Sequence, residues 1–176
     1  MNNMDEPENK NIVLVGMPAV GKSTVGVLLA KRLGRYFFDT DVFIQAVIGR
    51  TLQQIIDTDG LENFCRLEAE HITCIDRTNC VIATGGSAVY SENAMNHLKE
   101  TGQIVYLNLP LDMIKKRLTN LNVRGVVISE GKTLDDLYKQ RTPLYKKWAD
   151  ITIDCCNLTH EQVVEKIIEN LEAIDS

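Results

Sequence analysis

Gly16-Met17-Pro18-Ala19-Val20-Gly21-Lys22-Ser23-Thr24 stands directly behind the apolar run Ile12-Val13-Leu14-Val15. The run reads as a buried strand and the stretch after it as a glycine-rich turn that opens a helix. In that context the spacing G-x-x-x-x-G-K-S signals a phosphate-binding loop. A polyphosphate carries several negative charges, and backbone N–H groups turned into one hollow cradle it without spending side chains. Gly16 and Gly21 permit the backbone angles and the close approach, while Ala19, Val20 and Thr24 complete the loop. Lys22 offers a mobile charge to the outer phosphates, the Ser23 hydroxyl can ligate magnesium, and the helix start adds about half a positive charge. Nucleotide binding is the first functional expectation.

Working outward, the helix is expected over Lys22–Leu33, with Val25, Leu28, Leu29 and Leu33 in helical spacing and Gly34 as its C-terminal cap. Four more short apolar strands follow, at Tyr36-Phe37-Phe38, Cys80-Val81-Ile82-Ala83, Ile104-Val105-Tyr106-Leu107 and Ile151-Thr152-Ile153. Between them helices are predicted over 42–47, 51–56, 61–75, 91–99, 111–118 and 133–148, with a last one capped by Thr159 and Gln162. Strands that are almost wholly apolar and alternate with helices imply an α/β fold, a central parallel five-stranded sheet flanked by helices. Ligands of such sheets gather at the carboxyl ends of the strands. Gly16 to Lys22, Asp39 to Asp41 and Gly85-Gly86 all directly follow strands, so they should converge on one cleft.

The chain of 176 residues suits a single domain over 11–176 behind a polar, disordered tail over 1–10. A net charge of −5 argues against non-specific binding to nucleic acid or to an anionic membrane. The tail lacks the apolar segment of a signal peptide, and no stretch approaches a membrane span. The five cysteines, Cys65, Cys74, Cys80, Cys155 and Cys156, form no C-x-x-C pair, which speaks against zinc and suits reduced thiols in a cytoplasm.

The third apolar strand ends Ala83-Thr84-Gly85-Gly86 with no carboxylate, so the acids that hold a metal must come from elsewhere. Asp39 and Asp41, two residues apart behind a strand, allow one to face magnesium and the other a second substrate. Two carboxylates beside a phosphate would repel it without a metal between them. The same pair could instead cap a helix. There is no N-K-x-D motif for guanine, and a compact phosphate-binding fold with a second pocket points to a small-molecule kinase.

Together with Phe38-Asp39-Thr40-Asp41, the Thr58-Asp59-Gly60 turn followed by Phe64 and Glu68, Gly85-Gly86, Arg117 with Arg124, and Arg141-Thr142-Pro143-Leu144-Tyr145, the loop resembles the shikimate kinase family over nearly the whole chain. The resemblance implies a P-loop kinase fold with a mobile lid over about 119–132, ATP as co-substrate and Mg2+ as cofactor. It implies Ser23 and Asp39 at the metal, Lys22, Asp41 and Arg124 in catalysis, and Arg117 against the adenine. Asp41, Gly85, Gly86 and Arg141 would meet the acceptor, Arg141 by gripping its carboxylate with a bidentate fork. Arg124 would close onto the phosphates, and a closed lid excludes the water that would otherwise hydrolyse ATP. From the residues alone, Arg117 and Arg124 could equally be solvated surface charges.

The chain departs from the family at the acceptor. Phe64-Cys65-Arg66-Leu67-Glu68 replaces Phe-Arg-x-x-Glu, so Cys65 stands where the family places a second carboxylate-gripping arginine. Arg66, one residue on and rotated by roughly 100° on a helix, serves the acceptor only if its side chain curls back. The family's third glycine is Ser87, and its lid sequence becomes Arg124-Gly125-Val126-Val127. Three readings follow: a kinase of shikimate, a related kinase of another small hydroxylated metabolite, or a nucleotide-binding regulator without acceptor. ATP and a small molecule are the expected partners, of a monomer. His71, His97 and His160 are read as exposed or structural.

Overall fold

The computed structural model describes residues 10–121 and 133–174, so Arg124 and most of the segment expected to form the lid lie outside the described residues. The elements run β1 Asn11–Val15, α1 Lys22–Leu33, β2 Tyr36–Asp39, α2 Thr40–Ile48, α3 Leu52–Asp59 and α4 Leu61–Thr73. They continue with β3 Cys80–Ala83, a short 3-10 turn Ala88–Tyr90, α5 Glu92–Thr101, β4 Gly102–Asn108, α6 Leu111–Leu121, α7 Leu134–Trp148, β5 Ile151–Asp154 and α8 His160–Ile174.

The strands form one five-stranded parallel sheet in the order β2-β3-β1-β4-β5. Every residue of β1 and β3 is buried. Since successive side chains point to opposite faces, both faces of the central strands are covered. Helix α1 packs against α8 and along β2 and β3, whereas α5 packs against α4 and along β4.

Two cores hold these layers. The main one surrounds the sheet, with Val13, Leu14, Ile82, Ile104 and Val105 fully buried. A smaller one, built on Ile44, Ile55 and Phe64 with Leu52, Ile56 and Cys65 around it, ties α2, α3 and α4 together.

Element boundaries moved where side chains or close approaches decide them. The segment expected as a turn at Asp57-Thr58-Asp59 is helical, because α3 starts in a Thr51–Gln54 capping box and runs until the Gly60 N–H closes on Ile56 O. Gly102, between the helix expected to end at 99 and the strand expected from 104, opens β4 beside β1, where an added Cβ would stand 2.7 Å from Asn11 O. Thr159 and Gln162 cap α8 as expected.

Candidate active site

The loop between β1 and α1 takes the backbone angles that its glycines allow. Gly16 has φ 149° and Gly21 φ 107°, and a Cβ on Gly16 would lie 2.7 Å from the Leu107 carbonyl oxygen. Ala19, at φ 60°, accepts a left-handed angle without being glycine. The loop is therefore pressed against the end of β4, and only glycine fits at its first position.

Lys22 Nζ donates to Gly16 O at 2.8 Å and to Met17 O at 3.0 Å. Burial lowers its pKa to about 8, against the pull of Asp41, while Arg141 adds to the lowering. A phosphate in the loop would add negative charge beside this ammonium to that of Asp41.

Ser23 Oγ donates to Asp39 Oδ2 at 2.7 Å, and Asp39 Oδ1 accepts the N–H groups of Asp41 and Val42 at 3.0 and 3.1 Å. Asp39 thus does both things the sequence allowed: it caps α2 and it faces the phosphate loop. A hydroxyl and a carboxylate held together are hard oxygen donors of the kind magnesium prefers. The donor set fits Mg2+.

A cavity of about 750 Å³ runs from this loop to the end of β3. At its far end Gly85 N donates to Thr40 Oγ1 at 3.0 Å, which fixes the strand end beside the start of α2 and brings Asp41 to Gly85. A Cβ on Gly85 would fall 2.0 Å from Glu68 Oε1 and 2.7 Å from Asp41 Oδ1. Both oxygens are buried and have no hydrogen-bond partner among the described residues. Two unsatisfied acceptors in one pocket suit a ligand that brings hydroxyl donors. Burial raises the pKa of Asp41, with Lys22 opposing, and pushes that of Glu68 up to about 7, with Ser87 opposing.

Arg141, only 2% exposed, donates from Nε to Tyr90 Oη at 3.1 Å and lies over the Tyr90 ring. Its Nη1 would be 2.9 Å from a Cβ on Gly86, whose carbonyl accepts from Tyr145 Oη at 2.7 Å. The guanidinium is held at the pocket wall by α7 and lines the cavity.

The remaining expected residues divide. Thr24 lines the cavity, Val20 is a core residue whose carbonyl accepts from Arg117 Nη1 at 2.9 Å, and Arg117 lines the cavity next to the loop. Arg66 must be corrected: its side chain is 63% exposed, pairs with Glu70 at 2.7 Å and does not reach the cavity. The one-residue offset on α4 turned it outward, where a salt bridge one turn on was nearer than the pocket. In its place the inner face of α4 presents Phe64 and Glu68, with the Cys65 thiol near Glu68 and Ser87 and its pKa raised by burial.

Sequence reasoning left Glu68 out of the acceptor residues, although its spacing of four from Phe64 puts the two on one helix face. It missed Tyr90 and Tyr145, which touch the site only through Arg141 and Gly86. It also missed Thr159 and His160 at the cavity rim; the Thr159–Gln162 cap marks the start of α8 in the sequence, but nothing local shows that this start lies beside the phosphate loop.

The profile of the family described as Shikimate kinase matches residues 18–172. A shikimate kinase of Thermodesulfovibrio yellowstonii is 38% identical over 170 residues, covering 95% of this chain and 98% of the relative. Among solved structures, shikimate kinase from Acinetobacter baumannii in complex with shikimate superposes with a TM-score of 0.86 at 33% identity, covering 93% of each chain. Shikimate kinase from Aquifex aeolicus gives 0.82 at 31% identity, covering 94% of this chain and 98% of that one. Sequence, fold and the order of site elements agree: the chain belongs to the shikimate kinase family and is a kinase that phosphorylates a hydroxyl group.

Proposed function

We propose that the protein transfers the γ-phosphoryl group of ATP to the 3-hydroxyl of shikimate, giving shikimate 3-phosphate and ADP in aromatic amino-acid biosynthesis. The observation that carries this reading is one cavity that joins the Lys22 phosphate loop to Asp41 Oδ1, without a hydrogen-bond partner among the described residues, and to the buried Arg141. Donor phosphate and acceptor hydroxyl can meet there without leaving the protein.

In the reaction a new O–P bond forms from the acceptor oxygen while the bond to the β-phosphate oxygen breaks, and the hydroxyl proton passes to Asp41 Oδ1. Burial favours the protonated carboxyl of Asp41 and so suits it to receive that proton. Lys22 and the loop N–H groups neutralise charge on the transferred group, which is most of what phosphoryl transfer requires. Ser23 and Asp39 would hold Mg2+, which would supply positive charge to neutralise the phosphates there. Arg124, in a lid over about 119–132, would add positive charge at closure. Arg141 holds the acceptor carboxylate, and Gly85 and Gly86 let the ring approach the backbone.

The catalytic unit is a single domain over 11–176, acting as a cytoplasmic monomer with no nucleic-acid or membrane partner. The net charge of −5 supports this, and among the described residues no helix is long and apolar enough to cross a membrane. One observation favours a second reading, a related small hydroxylated acceptor: Arg66 points away, so among the described residues one guanidinium, that of Arg141, faces the acceptor end where the family pattern has two.

ADP formation by the purified protein, measured with Mg-ATP in the presence and absence of shikimate and beside other hydroxy acids and polyols, decides between them. Shikimate alone stimulating turnover supports the first reading. Turnover with another compound while shikimate is inert overturns it.

A further inference from the structure

Cys65 and Ser87, two places where the acceptor end departs from the family pattern, meet in space at Glu68. Position 65 precedes Glu68 by three residues on α4, so a guanidinium there would stand beside the carboxylate on one helix face. The Cys65 thiol lies near Glu68 and Ser87, but a thiol is only a weak donor. Ser87 approaches the same carboxylate from the end of β3. It stands just before the 3-10 turn Ala88–Tyr90, where a serine commonly turns its hydroxyl onto nearby backbone N–H groups. Here it makes no such bond and donates to Glu68 Oε2 instead.

Both residues are buried and line the cavity. The other oxygen, Glu68 Oε1, has no hydrogen-bond partner among the described residues and borders the same side of Gly85 as Asp41 Oδ1. A carboxyl group held at neither oxygen turns broadly about its last torsion. Held through Oε2, it presents Oε1 in one direction, and an acceptor hydroxyl that meets it loses less on binding because the site is already ordered.

Resting on the acceptor-kinase reading above, we propose that Ser87 is a positioning residue that stands in for the guanidinium missing at Cys65, holding Glu68 by one oxygen so that the other faces a hydroxyl of the acceptor. The two departures are one exchange, a serine at the end of β3 for an arginine on α4, and the carboxylate keeps its place.

The test measures kcat and the KM values for shikimate and ATP in Ser87→Gly, Ser87→Ala, Ser87→Thr and the double variant Cys65→Arg/Ser87→Gly, with Cys65→Arg as its reference and thermal unfolding to verify the fold. Ser87→Gly and Ser87→Ala should each raise the KM for shikimate about ten-fold, as loss of one charged hydrogen bond does, with kcat and the KM for ATP within about two-fold. Ser87→Thr keeps the hydroxyl and should stay within about three-fold of the parent. In the Cys65→Arg background the glycine should cost less than about two-fold, because the arginine then holds Glu68. An unchanged shikimate KM in Ser87→Gly and Ser87→Ala overturns the proposal. So does a parallel rise in the KM for ATP, which would make the serine a general support of the fold, or a cost that persists undiminished beside the new arginine. Shikimate inert with the parent overturns the proposed function instead, and the same variants are then compared with the hydroxylated compound that the parent does phosphorylate.

Discussion

Ser87 Oγ donates to Glu68 Oε2 at 2.5 Å, in a pocket where Glu68 has no exposed surface. A serine thus restrains the one carboxylate of α4 that faces the acceptor, while its other oxygen stays open. Burial pushes the Glu68 pKa up to about 7 from an ordinary 4.5. The folded state therefore holds its proton more tightly than the unfolded chain. The resulting contribution to stability is fully present below pH 4.5 and is lost as pH rises through 7. Glu68→Gln keeps an acceptor for Ser87 and removes this slope. Urea unfolding of the ligand-free protein at pH 5 and pH 8 should show the variant losing about 3 kcal/mol less than the parent between the two. Equal losses would mean that Glu68 ionises normally.

Gly85 has no room for a side chain. Gly85→Ala drives a methyl to 2.0 Å from Glu68 Oε1 and 2.7 Å from Asp41 Oδ1, the two oxygens open to the acceptor. Turnover should fall by at least about a hundred-fold, since displacing groups at a reacting centre by about 1 Å costs that much. ADP binding, at the other end of the cavity, should change by less than about two-fold on the same scale of distant independent sites. Calorimetric titration of ADP beside the turnover assay separates the two.

Cys65 and Arg66 give opposite expectations. Cys65→Arg places a guanidinium at the position where the family has one, close to the open Glu68 oxygen, and should lower the KM for shikimate about ten-fold, as one charged hydrogen bond would. Arg66→Ala removes an exposed pair with Glu70 and should change KM less than about two-fold. Steady-state kinetics on both variants reads this directly; a large effect of Arg66→Ala would mean its side chain turns inward during turnover.

Arg141 is the buried cation of the acceptor end. Arg141→Lys retains the charge but loses the fork and the bond to Tyr90 Oη. The KM for shikimate should rise on the order of 30-fold, with the KM for ATP nearly unchanged. A comparable rise for ATP would place Arg141 among the phosphate ligands. Tyr90→Phe, which removes only the supporting hydroxyl, should cost a few-fold at most.

How far the sequence led depended on the kind of information each residue carries. The sheet, the phosphate loop and the convergence of Asp39, Asp41 and Gly85 follow from local pattern, because strand ends and glycine turns are written in consecutive residues. Arg141 came only through the family resemblance, since nothing around it distinguishes a pocket arginine from a surface one on α7. Arg66 was misplaced because one residue on a helix is a third of a turn, and a nearby Glu70 decided which way a long side chain went. His160 was read as bland because its neighbour across space, Gly21, lies in another part of the chain. Tyr90 and Tyr145 act by holding other groups, a role that only packing shows.

The two cores give this enzyme a divided inheritance. The phosphate loop is seated on the large core around the sheet, whereas Phe64, Cys65 and Leu52 at the acceptor end belong to the small cluster of α2, α3 and α4. Substitutions in the small cluster can reshape what is phosphorylated while the machinery that phosphorylates stays intact. Cys65, where the chain departs from its relatives, falls within that cluster, and Ser87 borders it from the end of β3. A lineage exploring new acceptors would change this corner first, without having to rebuild the support of its nucleotide site.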